Sequence, residues 1–184
     1  VWCCDIYYVG LSEDGYENTL DFADFFNRSI RSTAMYTEPD CGIDSEQVAD
    51  VVIESIIRNT GVPSEMRVDA GTNLIAAAIQ ILYERLGIRI TIGTAYHHQL
   101  VALVERWHRT LGQLIRVHKA ATQHANWGSK WYRCVPLMEL VYNNTMNPAT
   151  GYSPFFMDHL RHARLPSDNL RADPPELPKK IPAW

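Results

Sequence analysis

The spacing of hydrophobic and polar positions changes period several times along the chain. From Val1 to Gly10 the residues are mostly aromatic, β-branched or sulfur-bearing, with one acid, Asp5, inside the run. That composition predicts a strand. The turn signal Glu13-Asp14-Gly15 follows, and Thr19 to Phe26 and Thr33 to Thr37 predict two more strands, giving an antiparallel meander of three. Asp44-Ser45-Glu46-Gln47 then opens a helix. Val48, Val51, Val52 and Ile56 supply its apolar stripe, and Asn59-Thr60-Gly61-Val62-Pro63 ends it. Met66 to Asp69 is a short strand running into the turn Ala70-Gly71. Leu74 to Leu86 predicts a helix closed by Gly87. Ile88, Ile90 and Ile92 alternate with Arg89 and Thr91, which is the period of a strand. A long helix is expected over about Leu100 to Ala120 and another over about Lys130 to Tyr142, and Pro154 suits the first position of a short last helix.

Three strands, a helix, and then strands alternating with helices predict an α/β fold with a mixed five-stranded sheet flanked by helices. The isoleucine alternation excludes an all-α reading. From Pro166 onward the chain holds five of its ten prolines, so 1–165 reads as one domain and 166–184 as an extended linker or tail.

Composition narrows the class. Of 184 residues, 46% are hydrophobic, enough for a packed core and too many for a disordered chain. No apolar run approaches the about 18 residues that a membrane span needs. The start reads as a strand rather than a signal peptide, and the missing initiator Met points to a fragment of a longer polyprotein. Cysteines stand at 3, 4, 41 and 134 with no Cys-x-x-Cys pair, so a zinc ribbon is disfavoured and reduced thiols in an intracellular protein are expected. The net charge of −4 argues against a nucleic-acid binder, unless some acids hold metal or the cations cluster.

Both conditions have candidates. Asp5 lies inside the first strand, Asp69 ends the strand after the first helix, and Glu105 stands in the first turns of the long helix. Carboxylates at strand ends and a helix start can converge above one edge of a sheet, and hard divalent cations take such oxygen ligands. Two metals about 3.5–4 Å apart can hold the attacking and leaving oxygens of an in-line phosphoryl displacement. The plainer alternative makes Asp69-Ala70-Gly71 a turn and Glu105 a solvated helix position. On the long helix Val104, Trp107, Leu111, Leu114 and Ile115 share one broad apolar face. Glu105, Arg109, Gly112 and Arg116 share the opposite face, with His108 at its edge. Glu105 and Arg109 can be a surface pair, or a ligand beside phosphate-gripping cations. Trp127 and Trp131 are read as core anchors, His159-x-x-His162 as structural, and Asp24 as a structural acid of the second strand with Asp21 as the register alternative. Arg161, Arg164, Lys179 and Lys180 have either DNA contact or solubility as their role.

These residues resemble the integrase catalytic core of retroviruses and, more closely, of gypsy-type long-terminal-repeat retrotransposons. The resemblance covers Trp2 to about Pro166. It rests on Trp2-Cys3-Cys4-Asp5-Ile6, on Gly61-Val62-Pro63 with Val68-Asp69-Ala70-Gly71-Thr72-Asn73, and on Leu86-Gly87-Ile88 with Thr94-Ala95-Tyr96-His97-His98-Gln99. It continues through Val104-Glu105-Arg106-Trp107-His108-Arg109-Thr110-Leu111, then Trp127, Tyr142-Asn143 and Thr150-Gly151-Tyr152-Ser153-Pro154-Phe155. The family's second and third acids are separated by 35 residues, and here 105 − 69 = 36 leaves the same 35 between.

The resemblance implies a ribonuclease H-like fold and two-metal chemistry with Mg²⁺ or Mn²⁺ on Asp5, Asp69 and Glu105, Asp5 and Asp69 sharing one ion and Asp5 and Glu105 the other. It implies trimming of the element's DNA ends by water, attack of the new 3′-hydroxyl on target DNA, and DNA contacts at His97, Gln99, Arg106, His108, Arg109 and Arg116. It also implies assembly as a homodimer or homotetramer, no membrane association, and a place in the nucleus or in a virus-like particle. Eight positions depart from the family pattern. His98 replaces a Pro, Leu100-Val101-Ala102-Leu103 replaces Thr-Asp-Gly-Gln, Val68 replaces a Ser, His108 an Asn and Leu74 a Phe. The apolar stretch before Glu105 leaves open a second expectation, an integrase-like module that binds DNA or protein with impaired catalysis; a plain nuclease of the same fold is a third.

Overall fold

The structure, a computed structural model, describes residues 1–37, 42–69, 77–93, 98–121, 127–165 and 167–168, with the side chains of 69, 77, 78, 93, 98–101, 127 and 128 outside that description. Strands β1 (Trp2–Tyr8), β2 (Tyr16–Asp24) and β3 (Ile30–Tyr36) form the expected antiparallel meander. Strands β4 (Glu65–Asp69) and β5 (Arg89–Gly93) extend it in parallel, giving a five-stranded mixed sheet in the order β3-β2-β1-β4-β5. The switch from antiparallel to parallel follows from the connections: tight turns join the first three strands, and helices carry the chain back before β4 and β5.

Side chains alternate across the sheet, so each strand feeds two cores. Trp2, Cys4, Leu20, Phe22, Met66 and Val68 pack on one face. Helices α1 (Ser45–Val52) and α3 (Ala77–Leu86) cover them with Val48, Val52, Ile79 and Tyr83. Asp44 caps α1 by accepting from the Glu46 amide at 3.2 Å. Beyond Val52 the helix widens into a π-helical turn, Ile53–Ile57, and ends in α2 (Arg58–Thr60) at Gly61. Gly61 has φ of +82°, a conformation that a side chain would strain.

Cys3, Ala23 and Ile30 face the other way, against α4 (His98–Ala121), a 3₁₀ segment (Trp127–Cys134) and α5 (Val135–Asn144). Val104, Trp107, Leu111 and Ile115 form the buried stripe of α4, as their spacing predicts. The single helix expected over Lys130 to Tyr142 is instead two segments. The backbone kinks at Lys130, and a regular helix resumes at Val135, where Pro136, lacking an amide donor, suits the first turn. Trp131 is fully buried and its indole donates to the Gly10 carbonyl at 3.0 Å, a core anchor. Asn143 binds both backbone groups of Ile30 at 2.8 Å and so locks α5 to the start of β3. Pro154 opens the short helix α6 (Pro154–His159), capped by Ser153. Cys3, Cys4 and Cys134 are free thiols, while Cys41, the turn at 70–71, the start expected for α3 at Leu74 and nearly all of the tail lie outside the described residues.

Candidate functional site

Strand β1 sets the site. Its register with β4 pairs Cys3 with Arg67 and Cys4 with Val68, so Asp5 and Asp69 are the next residues along two adjacent parallel strands. Across the other edge of β1, Asp5 stands directly opposite Asp21 of β2. Directly opposed residues of an antiparallel pair share a face, and this is the face covered by α4. Asp5 is partly buried, and its Oδ1 accepts from the Ile6 amide at 2.8 Å.

Asp21 is fully buried. An isolated carboxylate there would carry a large desolvation cost, and the surrounding donors offset it. Thr19 Oγ1 donates to Oδ2 at 2.7 Å, and Trp107 Nε1 donates to Oδ1 at 3.0 Å. The Ser32 hydroxyl donates to Oδ1 as well. His108 Nε2 lies 3.1 Å from Oδ2, a close contact off the axis of a hydrogen bond. The other nitrogen of the same ring, Nδ1, lies 3.9 Å from Asp5 Oδ2. Tyr7, two residues beyond Asp5 on the same face, stacks on the His108 ring with centroids 4.7 Å apart and planes at 17°. The Tyr7 hydroxyl reaches Gly112, where an added Cβ would stand 2.8 Å from it.

The acids and cations named from sequence fall in different places. Asp5 and Asp69 are neighbours in the sheet, and Glu105, exposed on α4, stands three residues before His108, whose ring meets Asp5. Residues three apart on a helix lie on one side of it, which directs Glu105 to the Asp5 end of β1. Arg106, Arg109 and Arg116 are exposed on α4, Arg116 donating to the Gly112 carbonyl at 3.1 Å. His108 is buried and turned inward onto the two aspartates. His97 and the side chains of Gln99 and Asp69 lie outside the described residues. Asp24 caps the β2–β3 turn by accepting from the Phe26 amide at 2.7 Å, and the buried acid of β2 is Asp21. His159 and His162 each stack on a phenylalanine of α6.

Burial pushes the Cys4 thiol well up, with the neighbouring Asp5 and Asp21 charges adding to the shift, so Cys4 is an inert core thiol rather than a nucleophile. Cys134, 3.4 Å from His118 Nε2, is likewise pushed up by burial. Among the described residues no three His, Cys, Asp or Glu side chains are placed to hold a metal ion, the Asp69 carboxylate being outside that set. The acids that the strand register brings to this edge, Asp5 and Asp69, are of the donor type that Mg²⁺ and Mn²⁺ favour, and the His108 imidazole stands beside Asp5. The two acids fit such an ion.

No family model matches the chain. It is 33% identical over 124 residues to the retrovirus-related Pol polyprotein from transposon 412 of Drosophila melanogaster, a match covering 66% of this chain and 10% of that protein. It is 26% identical over 106 residues to the Pro-Pol polyprotein of simian foamy virus type 3, covering 58% of this chain and 9% of the relative. The chain thus spans about a tenth of these curated relatives. Among solved structures, it superposes on a chain of a simian T-cell lymphotropic virus intasome, solved in complex with PP2A regulatory subunit B56 gamma. That match has a TM-score of 0.68 at 20% identity and covers 100% of this chain and 59% of the other. The catalytic core domain of BIV integrase matches with a TM-score of 0.62 at 20% identity, over 85% of this chain and 91% of that one.

Proposed function

We propose that this chain, which is related to the Pol polyproteins of retroviruses and retrotransposons and has the ribonuclease H-like fold of retroviral integrase catalytic cores, is a catalytic core for DNA 3′-end processing and strand transfer. The observation that carries the reading is the adjacency of Asp5 and Asp69 on parallel strands, beneath the helix that bears Glu105.

In this reading Asp5, Asp69 and Glu105 hold Mg²⁺ or Mn²⁺. The bound ions supply a Lewis acid for the scissile phosphate and lower the pKa of a coordinated hydroxyl. Arg109 and Arg116, exposed on the side of α4 that carries Glu105, grip phosphates and orient the strand; such contacts position DNA without reading its sequence. Arg106, His97 and Gln99 extend that contact surface. Two in-line displacements follow. Water first forms a bond to phosphorus as the bond to the 3′ oxygen breaks; the freed 3′-hydroxyl then forms a bond to a target phosphorus as a target 3′ oxygen leaves. Residues 1–165 form the core and 166–184 a Pro-rich linker or tail. The working unit is a homodimer or homotetramer on element ends and target DNA, in the nucleus or a virus-like particle. No helix among the described residues is long and apolar enough to cross a membrane.

One observation favours slow chemistry. Helix α4 begins at His98 and runs unbroken through Leu100, Val101, Ala102 and Leu103, and Leu103 packs against the core beneath it. A segment held in a helix cannot bend over substrate as an active-site loop does. The test is disintegration of a branched DNA substrate with Mn²⁺. The native chain should act slowly, Asp69→Asn should abolish the reaction, and the quadruple change Leu100→Thr, Val101→Asp, Ala102→Gly, Leu103→Gln should raise the rate. No reaction from either the native or the quadruple protein, with Mn²⁺ bound, would make a binding module the better account.

A further inference from the structure

Asp21 has no assigned role in the proposed chemistry, yet three side chains donate to its carboxylate. Thr19, Ser32 and Trp107 fix its two oxygens from β2, β3 and α4. A carboxylate held from three elements cannot swing, so the face it offers to His108 Nε2 at 3.1 Å is fixed as well. The His108 ring is clamped from a second direction by its stack on Tyr7. Its remaining nitrogen then stands at a set place, 3.9 Å from Asp5 Oδ2. Asp5 is held on its other oxygen by the Ile6 amide. The line Asp21–His108–Asp5 therefore joins a rigid buried anchor to a proposed metal ligand.

We infer that Asp21 is a positioning residue that acts through His108 to hold the Asp5 carboxylate in the orientation that binds the metal. The inference rests on the reading of Asp5 as a metal ligand. It also gives His108 a role different from contact with DNA. A purely structural role for Asp21, tying β2 to β3 and α4, is the alternative, and the two roles differ in what they do to metal affinity.

The experiment is a double-mutant cycle on the full chain, with Mn²⁺ affinity read by electron paramagnetic resonance of the free ion and folding read separately by thermal melting in EDTA. Loss of a group that orients a metal ligand commonly lowers affinity about 10–100-fold. His108→Ala and Asp21→Asn should each weaken Mn²⁺ binding about tenfold. Because Asp21 acts through His108, the double variant should be no weaker than His108→Ala alone. His108→Asn, which keeps a polar group at the position, should recover part of the affinity. If Asp21→Asn melts below the assay temperature, Asp21→Ser at low temperature replaces it in the cycle. Native affinity in a folded Asp21 variant, or losses that multiply in the double variant, would overturn the inference while leaving the metal site standing. A native chain that does not bind Mn²⁺ at millimolar concentration would overturn the metal site and the inference together.

Discussion

The face of the sheet covered by α1 and α3 buries Trp2, Leu20, Phe22, Val52, Ile56 and Met66 against one another. The face covered by α4 and α5 buries Ile30, Trp107, Leu111 and Trp131, but a polar line of Asp5, Thr19, Asp21, Ser32 and His108 runs through it. The same strands supply both, through alternate residues. Leu20 and Phe22 of β2 point one way, and Thr19, Asp21 and Ala23 the other. The apolar face stabilises the sheet. The mixed face gives up part of that burial to hold carboxylates at a defined place, which hydrophobic packing alone cannot do. Disturbing the first should therefore cost stability without touching the site, and disturbing the second should couple the two.

The largest effect is expected at Phe22. Truncation of a fully buried aromatic leaves a cavity as well as losing its transfer free energy. Phe22→Ala should lower stability by about 3–5 kcal/mol in urea melts, yet leave the Mn²⁺ affinity of the folded protein unchanged. An affinity that falls with stability here would erase the distinction between the faces.

Trp107→Phe comes next. It keeps most of the buried ring but removes the Nε1 donor to Asp21. A buried acceptor left short of a partner costs about 1–3 kcal/mol, and here the cost should come with weaker Mn²⁺ binding, because Asp21 loses one of its fixings. Stability loss with native affinity would show that the polar line is structural only.

Tyr83 sharpens the contrast from the opposite side. It is fully buried on the apolar face, and its hydroxyl has no hydrogen-bond partner among the described residues; burial pushes its pKa far up. Tyr83→Phe removes a polar group that the folded state desolvates without compensation, so the protein should gain stability, by about 1 kcal/mol. A loss would mean that the hydroxyl has a partner.

Most of the fold is legible from periodicity: the meander, the stripes of α1 and α4 and the isoleucine strand all appear where alternation or helical spacing puts them. The kink at Lys130 is not, because the apolar pattern runs across it; Pro136 marks only where the regular helix α5 restarts. At the site, sequence displays the strand that carries Asp5, the strand that ends at Asp69 and the helix that carries Glu105, while the adjacency of Asp5 and Asp69 comes from the register of β1 with β4, which sequence does not display. Asp21 was visible only as an alternative to Asp24. The signal that would have separated them is parity. Asp21 lies an even number of residues from Thr19 and Ala23, on the face opposite to Leu20 and Phe22, whereas Asp24 falls where β2 ends and the turn begins. The inward turn of His108 was not legible either. On a helix drawn alone it stands at the edge of the face that carries Glu105 and the arginines, and only the pairing of Asp5 with Asp21 across β1 and β2 supplies what draws it in.

The smallest effect, and the finest probe of the mixed face, concerns Gly112. Glycine inside a helix is less favourable than alanine by about 1 kcal/mol, so Gly112→Ala would stabilise an unobstructed α4 by that amount. Here the new methyl would stand 2.8 Å from the Tyr7 hydroxyl, too close without movement. The obstructing atom is the end of a side chain, so it can yield, but Tyr7 is also the ring that stacks on His108. The gain in helix propensity and the cost of moving Tyr7 should nearly cancel, leaving stability within about 0.5 kcal/mol of native, the range of an ordinary surface change. Tyr7→Phe removes the obstructing oxygen and keeps the stack. In that background Gly112→Ala should recover the full gain of about 1 kcal/mol, and the difference between the two backgrounds, read by urea melts, is the coupling between Tyr7 and α4. Gly112→Ala alone should also shift the His108 ring signals in an NMR spectrum, because the ring rests on Tyr7. Equal gains in both backgrounds with unmoved His108 signals would show that Tyr7 is loosely held and that Asp21 alone clamps the histidine.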